Sequence, residues 1–230
     1  MTEADPNRPA RQPARPAQPA RQTPRVAGAR ATRKPQAPRR QSRGAQRRDA
    51  IVRAAAELIL SEGPAGVTHR TVAARADVPL AATTYYFSGL DELVETAGRL
   101  IVERWTEHTR EVVEREDVPT TAAGKAERIV DAIGPDGDEV AVRGFYEHLV
   151  AAGRSAALGR AYAETRNGLD DAVTALLAKL GLDLSPQLIV AIVDGAALTA
   201  LSEGRPVRPV ALHLTQEVVE RTERHQRGEW

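Results

Sequence analysis

The chain has 230 residues, of which 42% are hydrophobic, enough to build a packed core in one generous domain or two small ones. It contains no cysteine, which excludes disulfides and thiolate metal sites. The first residues hold no apolar run of signal-peptide type and no stretch reaches the length needed to cross a bilayer, so a cytoplasmic location without a membrane partner is expected.

The net charge of +1 hides an asymmetry: residues 1–45 carry eleven basic and two acidic side chains, a charge of +9 that leaves −8 for the rest. That segment also holds eight of the fifteen prolines and, beyond Ala and Val26, almost nothing apolar. It cannot bury enough surface to offset its ordering entropy, and disorder is expected. Beside a DNA-binding domain, such an arm would add phosphate contacts and salt dependence without reading sequence. As a solvated linker it would do neither.

From Gln46 the pattern turns helical. Ile51, Ala54, Ala55, Leu58 and Ile59 recur at i, i+3, i+4, i+7 and i+8, with Arg47, Arg48, Arg53 and Glu57 off that stripe. Gly63 and Pro64 stop the helix. Thr68 suits the N-cap of a second helix, with Val67 placed to staple onto Val72. That helix ends near Asp77, and after Asp77-Val78-Pro79 a third short helix runs through Tyr86. Helix, short turn, helix is the arrangement of a helix-turn-helix, which lays its second helix in the major groove while the first crosses the backbone.

The chemistry along this stretch suits DNA. Thr68 and His69 offer a hydroxyl and first-turn N–H groups to a phosphate, and Arg70 is long enough to reach a guanine edge. Leu80, Ala81 and Ala82 can approach thymine methyls, Thr84 adds a hydroxyl, and Tyr85 and Tyr86 can offer phenols to phosphates. Phe87 and Val78 have no polar task and are expected to fill a small core against Ile51, Ala55 and Leu58.

The rest of the chain also reads as helix: about 90–115, 121–133, 138–153, 155–181, 185–204 and 208–226, separated by Gly- and Pro-containing breaks. No alternating β-branched run is present, and an all-α fold is expected.

The segment "RRDAIVRAAAELILSEGPAGVTHRTVAARADVPLAATTYYFSGLDEL", from Arg47 to Leu93, resembles the N-terminal domain of the tetracycline-repressor (TetR) family of transcriptional regulators. The basic lead, the Gly63 stop, "GVTHRTVAARA", the "YYF" helix end and "DEL" occur in the family's order. "IVDGAALTALSEGR" is similar to the family's penultimate helix. After the arm over 1–45, read as disordered from its composition, the resemblance implies a three-helix DNA-binding domain over 46–92 and an all-helical ligand-binding and dimerisation domain over 93–226.

It further implies a repressor that meets a double-stranded operator as a homodimer and is released by a small-molecule ligand not identifiable from the chain. Arg47, Thr68, His69, Arg70, Leu80, Ala81, Ala82, Thr84, Tyr85 and Tyr86 then face DNA. Trp105, His108, Phe145, Tyr146, His148, Leu149 and Tyr162 are the candidates to line the ligand pocket. Leu176, Ile189, Ile192, Val193, Gly195, Ala196 and Thr199 are those for the dimer interface, Gly195 and Ala196 permitting close helix approach. Two departures stand out. Asp77 occupies the turn position where the family usually has Gly, and Leu90 stands where a phosphate-binding Lys is often found.

No catalytic residue, metal site or cofactor is expected. There is no Gly-rich phosphate loop and no H-E-x-x-H, and the histidines at 69, 108, 148, 213 and 225 lie far apart. The competing reading is an architectural or ligand-independent DNA-binding protein that relies on the basic arm.

Overall fold

The computed structural model describes residues 43–229; the proposed arm lies outside the described residues up to position 42. Its last three residues open α1 (Arg43–Glu62), three positions before the boundary expected at Gln46. A single 3-10 turn at Pro64–Gly66 follows, then α2 (His69–Arg75), α3 (Leu80–Tyr86), α4 (Leu90–Glu114), α5 (Ala122–Ile133), α6 (Glu139–Ala152), α7 (Ala156–Lys179), α8 (Pro186–Ser202) and α9 (Val207–Gln226). Among the described residues there is no strand, as the all-α expectation required, and no helix long and apolar enough to cross a membrane.

Local chemistry sets the helix starts. Thr121, Asp138, Ser155 and Ser185 each stand one residue before a helix and accept from N–H groups of its first turn, Asp138 from both Val140 (3.1 Å) and Ala141 (2.9 Å). Each such cap is worth about 1 kcal/mol.

Apolar side chains gather in two main clusters. One joins α1, Val67, Val72 and Phe87 to the first half of α4, through Leu93, Val94, Ala97 and Ile101, and to Leu158 of α7. The other packs Val112 of α4 with α5, α7, α8 and α9. Helix α4 therefore has one end in each core. Where it crosses α7, Gly98 lets the helices approach closely: a Cβ there would stand 2.8 Å from Leu158 Cδ2 and 3.0 Å from Ala161 Cβ.

Candidate nucleic-acid interface

Helices α2 and α3 have seven residues each, too few to persist alone in water. Tertiary contacts and end chemistry hold them. At the start of α2 the Thr71 N–H donates to Thr68 Oγ1 (3.0 Å) and the Thr68 N–H to Thr71 Oγ1 (2.9 Å), a reciprocal box built with threonine at its second position. Val67 and Val72 are both buried in the same cluster, as the staple requires.

At the end of α2 the Val78 N–H donates to the Ala73 carbonyl (3.0 Å) while Asp77 adopts φ 50°, the one non-glycine with positive φ among the described residues. Asp77 thus takes the left-handed position of a helix-ending turn that usually falls to glycine. Thr83 of α3 is fully buried and Phe87, which ends the helix, nearly so, while Ala82 and Tyr86 of α3 and Val78 in the turn before it pack partly against the core. Arg48 places its guanidinium 5.0 Å over the Phe87 ring. Ahead of α4, Ser88 donates its N–H and hydroxyl to Glu92 Oε2, both at 2.7 Å, and these bonds hold the Glu92 carboxyl below its ordinary value.

The unit is consequently two-sided. Its inner side is core, and its outer side presents Thr68, Arg70, Leu80, Ala81, Thr84 and Tyr85 to solvent, with Tyr85 81% exposed. Arg47 is exposed on α1, His69 is half-buried, and Ala82 and Tyr86 divide between the surface and the core. Tyr86 supports Tyr85 edge-on at 5.0 Å. Arg75, by contrast, turns back to Glu57 and Glu62 of α1. Leu90, at the position of the expected basic contact, is half-buried against the core.

Farther along the chain, the aromatic residues expected around a ligand form an edge-to-face series: Trp105 to Phe145 (5.3 Å), Phe145 to Tyr146 (5.4 Å), Phe145 to His148 (5.1 Å) and His148 to Tyr162 (6.1 Å). His148 is 1% exposed, and burial pushes its pKa down to about 4, so the ring is neutral and its Nε2 pairs with the Tyr162 hydroxyl at 2.8 Å. Leu149 flanks the same cluster.

Trp105 and His108 have structural employment as well. Trp105 Nε1 donates to the Ile133 carbonyl (2.8 Å), Thr109 Oγ1 to that of Ala132 (2.8 Å), and His108 Nε2 lies 2.7 Å from that of Asp131. One face of α4 thereby satisfies the last carbonyls of α5, which have no helical partner. His108 Nδ1 also lies 3.3 Å from the Asp136 carboxylate. A cavity of about 440 Å3 opens between the α5–α6 loop, α6, α8 and α9, and of the seven candidates Tyr146 borders it, beside Val193 and Leu201.

The C-terminal segment 117–221 matches the family described as the tetracyclin repressor-like C-terminal domain. A solved multidrug binding protein, EbrR, crystallised with imidazole, is 32% identical, aligned over 83% of this chain and 96% of its own, with a TM-score of 0.56. A TetR-family member from Streptomyces coelicolor A3 is also 32% identical, over 77% of this chain and 98% of its own, with a TM-score of 0.54. The chain belongs to the TetR family. A transcriptional regulator from Rhodococcus sp. Rha1, at 23% identity over 76% of this chain and 95% of its own with a TM-score of 0.56, shares the fold. No curated protein is significantly similar.

Within this TetR-family chain, the dimer-interface candidates divide between the core and the surface. Leu176, Ile189, Val193 and Ala196 are at most 2% exposed, in the chain's own core, and a side chain already enclosed has no surface to offer a partner. The outward stripe of α8 is formed by Leu188, Ala191, Gly195, Leu198 and Thr199, with Ile192 at its margin. Two further residues matter that composition and periodicity did not single out: Thr71, whose spacing of three from Thr68 was the available signal, and Asp194, the one charged residue in α8.

Proposed function

We propose that this TetR-family chain is a homodimeric, sequence-specific DNA-binding repressor, acting in the cytoplasm, that an aromatic small molecule releases from its operator. The observation that carries this reading is the two-sidedness of α2 and α3. Two helices too short to stand alone are capped and packed with Thr68, Arg70, Ala81, Thr84 and Tyr85 left outward, the side-chain types that meet phosphates and base edges.

The partly apolar outer stripe of α8 supports a two-fold partner. A homodimer would set two α3 helices about one helical turn of DNA apart, roughly 34–36 Å. For the ligand, the aromatic series on α4, α6 and α7 and the adjoining cavity support an aromatic guest, as do the EbrR complexes with proflavin and ethidium at 33% and 32% identity. A ligand that favours the conformer with the wrong α3 spacing depletes the DNA-bound one. Helix α4, with one end in each core, is the lever between them.

The test is a binding titration near physiological salt, on DNA from upstream of the protein's own gene, against a shuffled fragment of equal length. Preference for the upstream fragment is expected. Replacing Arg70 with Ala should cost about 1–3 kcal/mol on that fragment and relax preference at one base pair. An equal loss on shuffled DNA would reduce Arg70 to a phosphate contact. Equal binding to both fragments by the unaltered protein would remove sequence-specific recognition of that site.

A further inference from the structure

Seven large hydrophobic side chains stand exposed among the described residues. Leu80 and Tyr85 belong to the outer side of α3, and Leu188 and Leu198 to the outward stripe of α8. Val150 of α6, 59% exposed, belongs to neither, yet it borders the second of these surfaces. With Ala151 it lines a groove of about 440 Å3 between α6 and α8, whose α8 side is formed by Leu198, Leu201 and Ser202. Leu198 lies on both the groove and the α8 stripe, so the apolar surface runs from one helix to the other without a break. Surface of this kind, rimmed by polar groups, marks a contact site.

The charges beside Val150 say what the occupant is. Glu147, Val150, Ala151 and Arg154 follow at helical spacing, and Gly153 keeps helical backbone past the end of α6 (φ −60°, ψ −16°), so the four share one face. Glu147 and Arg154 are exposed on either side of the apolar pair. Neither side chain has a partner among the described residues, whereas Arg160 and Arg166 of α7, and Arg205 and Arg208 near the start of α9, are each paired with a carboxylate. Seven residues apart, Glu147 and Arg154 exceed the three- or four-residue spacing at which a helix pairs its own charges.

In a two-fold contact, residue i of one copy meets residue j of the other while j meets i. Two α6 helices crossing antiparallel, with the axis between Val150 and Ala151, set Val150 of each copy against the partner subunit's Ala151. The same axis sets Glu147 against the partner subunit's Arg154, twice per dimer. The face is therefore complementary to itself, and a second copy brings both the apolar pair and the matching charges.

We propose that the α6 face from Glu147 to Arg154 joins a second copy of this chain, antiparallel across a two-fold axis at Val150–Ala151 and continuous with the outward stripe of α8. The proposal rests on the homodimer reading above and adds a contact that α8 does not supply. It also bears on DNA. Helix α6 lies against the end of α1, so closely at Gly144 that a Cβ there would stand 2.8 Å from the Leu60 carbonyl oxygen. Pairing the two α6 helices thus fixes the separation of the two DNA-binding units.

The test is the subunit dissociation constant of the full chain, read by sedimentation across a dilution series, with helix content followed by circular dichroism. Glu147→Arg and Arg154→Glu each place like charges face to face twice per dimer, and each should weaken the dimer on the order of tenfold or more. Combining the two restores opposite charges, and the double variant should return to within about threefold of the parent. Arg143, one turn before Glu147, accompanies position 147 in the single and the double variant alike, so its influence does not produce the recovery. Both positions are solvated in a lone chain, and helix content should not change.

Single variants with the parent's dissociation constant overturn the proposal, as does a double variant no tighter than the singles. Gly195→Arg, on the α8 stripe, is measured beside them. If it splits the dimer while both charge reversals leave it whole, the homodimer reading stands and only the α6 contact falls. A parent that is a single chain at every concentration removes both.

Discussion

Two ionisable side chains, the buried His148 and the half-buried Asp194, are displaced in opposite directions, and their pH signatures should nearly cancel. Asp194 has its folded pKa raised from 3.8 to about 6, so between those values the native chain holds a proton that the unfolded chain has released. Its contribution is most favourable below about pH 4 and is lost as pH rises through 6. His148 has its folded pKa lowered from 6.5 to about 4, so the unfolded chain binds the extra proton and this contribution grows as pH rises across the same window. Asp194 is faced by Tyr146 and by Arg166, the latter held by Asp170, and His148 by Tyr162. Chemical unfolding of the parent should therefore show a stability nearly level from pH 4 to 6.5 as far as these two groups decide it. Asp194→Asn removes one side of the balance, and its stability should climb across that window by up to about 3 kcal/mol relative to the parent. Parallel profiles would mean that the Asp194 carboxyl titrates at its ordinary value. The single charge in "IVDGAAL" could be seen in the sequence, but its isolation could not: only the packing shows that Arg166 is already taken by Asp170.

At the scale of elements, the close approach of α4 and α7 depends on Gly98, because the Ala161 methyl, 3.0 Å from where a Cβ would stand, cannot turn aside. Gly98→Val should cost about 1–3 kcal/mol through overpacking. Gly159, also in α7, has nothing within 4 Å of its Cβ position, and Gly159→Ala should stabilise by about 0.5–1 kcal/mol, the ordinary helix preference. Denaturant unfolding of both variants checks the pair, and a Gly98→Val protein as stable as the parent would mean that the helices are not in contact at Gly98. Thr68→Ala removes one side of the box that starts α2 and should cost about 1 kcal/mol. Element order and ends were legible because polar caps, Gly stops and the 3.6-residue period agree along most of the chain. Even the turn at Asp77 was readable from the tolerance of aspartate for left-handed backbone. Orientation was legible only where a helix has a polar side. α8 is apolar nearly all round, so nothing in its sequence separates Val193, which faces the core, from Leu198, which is 41% exposed, and the interface expectation took residues from both sides. The aromatic residues could likewise be grouped by type, but the bonds from Trp105 and His108 to α5 depend on a helix crossing that periodicity does not encode.

For the whole molecule, the exposed stripe of α8 gives the proposed two-fold assembly a decisive substitution. Gly195 lies on that stripe with no atom within 4 Å of its Cβ position, so a larger residue there meets nothing inside its own chain. Arg is also a better helix former than Gly by several tenths of a kcal/mol. In a monomer, Gly195→Arg should therefore be neutral or slightly stabilising. In a dimer built on α8 it forces a bulky charge, and by symmetry two of them, into a contact where close approach is needed, and each must be desolvated. Sedimentation of the variant should show the single-chain mass where the parent shows twice that mass, with helix content retained by circular dichroism. Operator affinity should fall with it, because each half-site is then bound without its partner. Deleting residues 1–40 acts on the other term: it should leave the subunit mass unchanged, weaken binding to operator and shuffled DNA alike, and flatten the salt dependence by about 0.9 for each phosphate that the arm had neutralised. If Gly195→Arg remains a dimer with full operator affinity, the two-fold axis lies away from this stripe. If the truncation keeps the parent's salt slope, phosphate neutralisation rests on α1, α2 and α3 alone, and the missing lysine at Leu90 has no substitute in the arm.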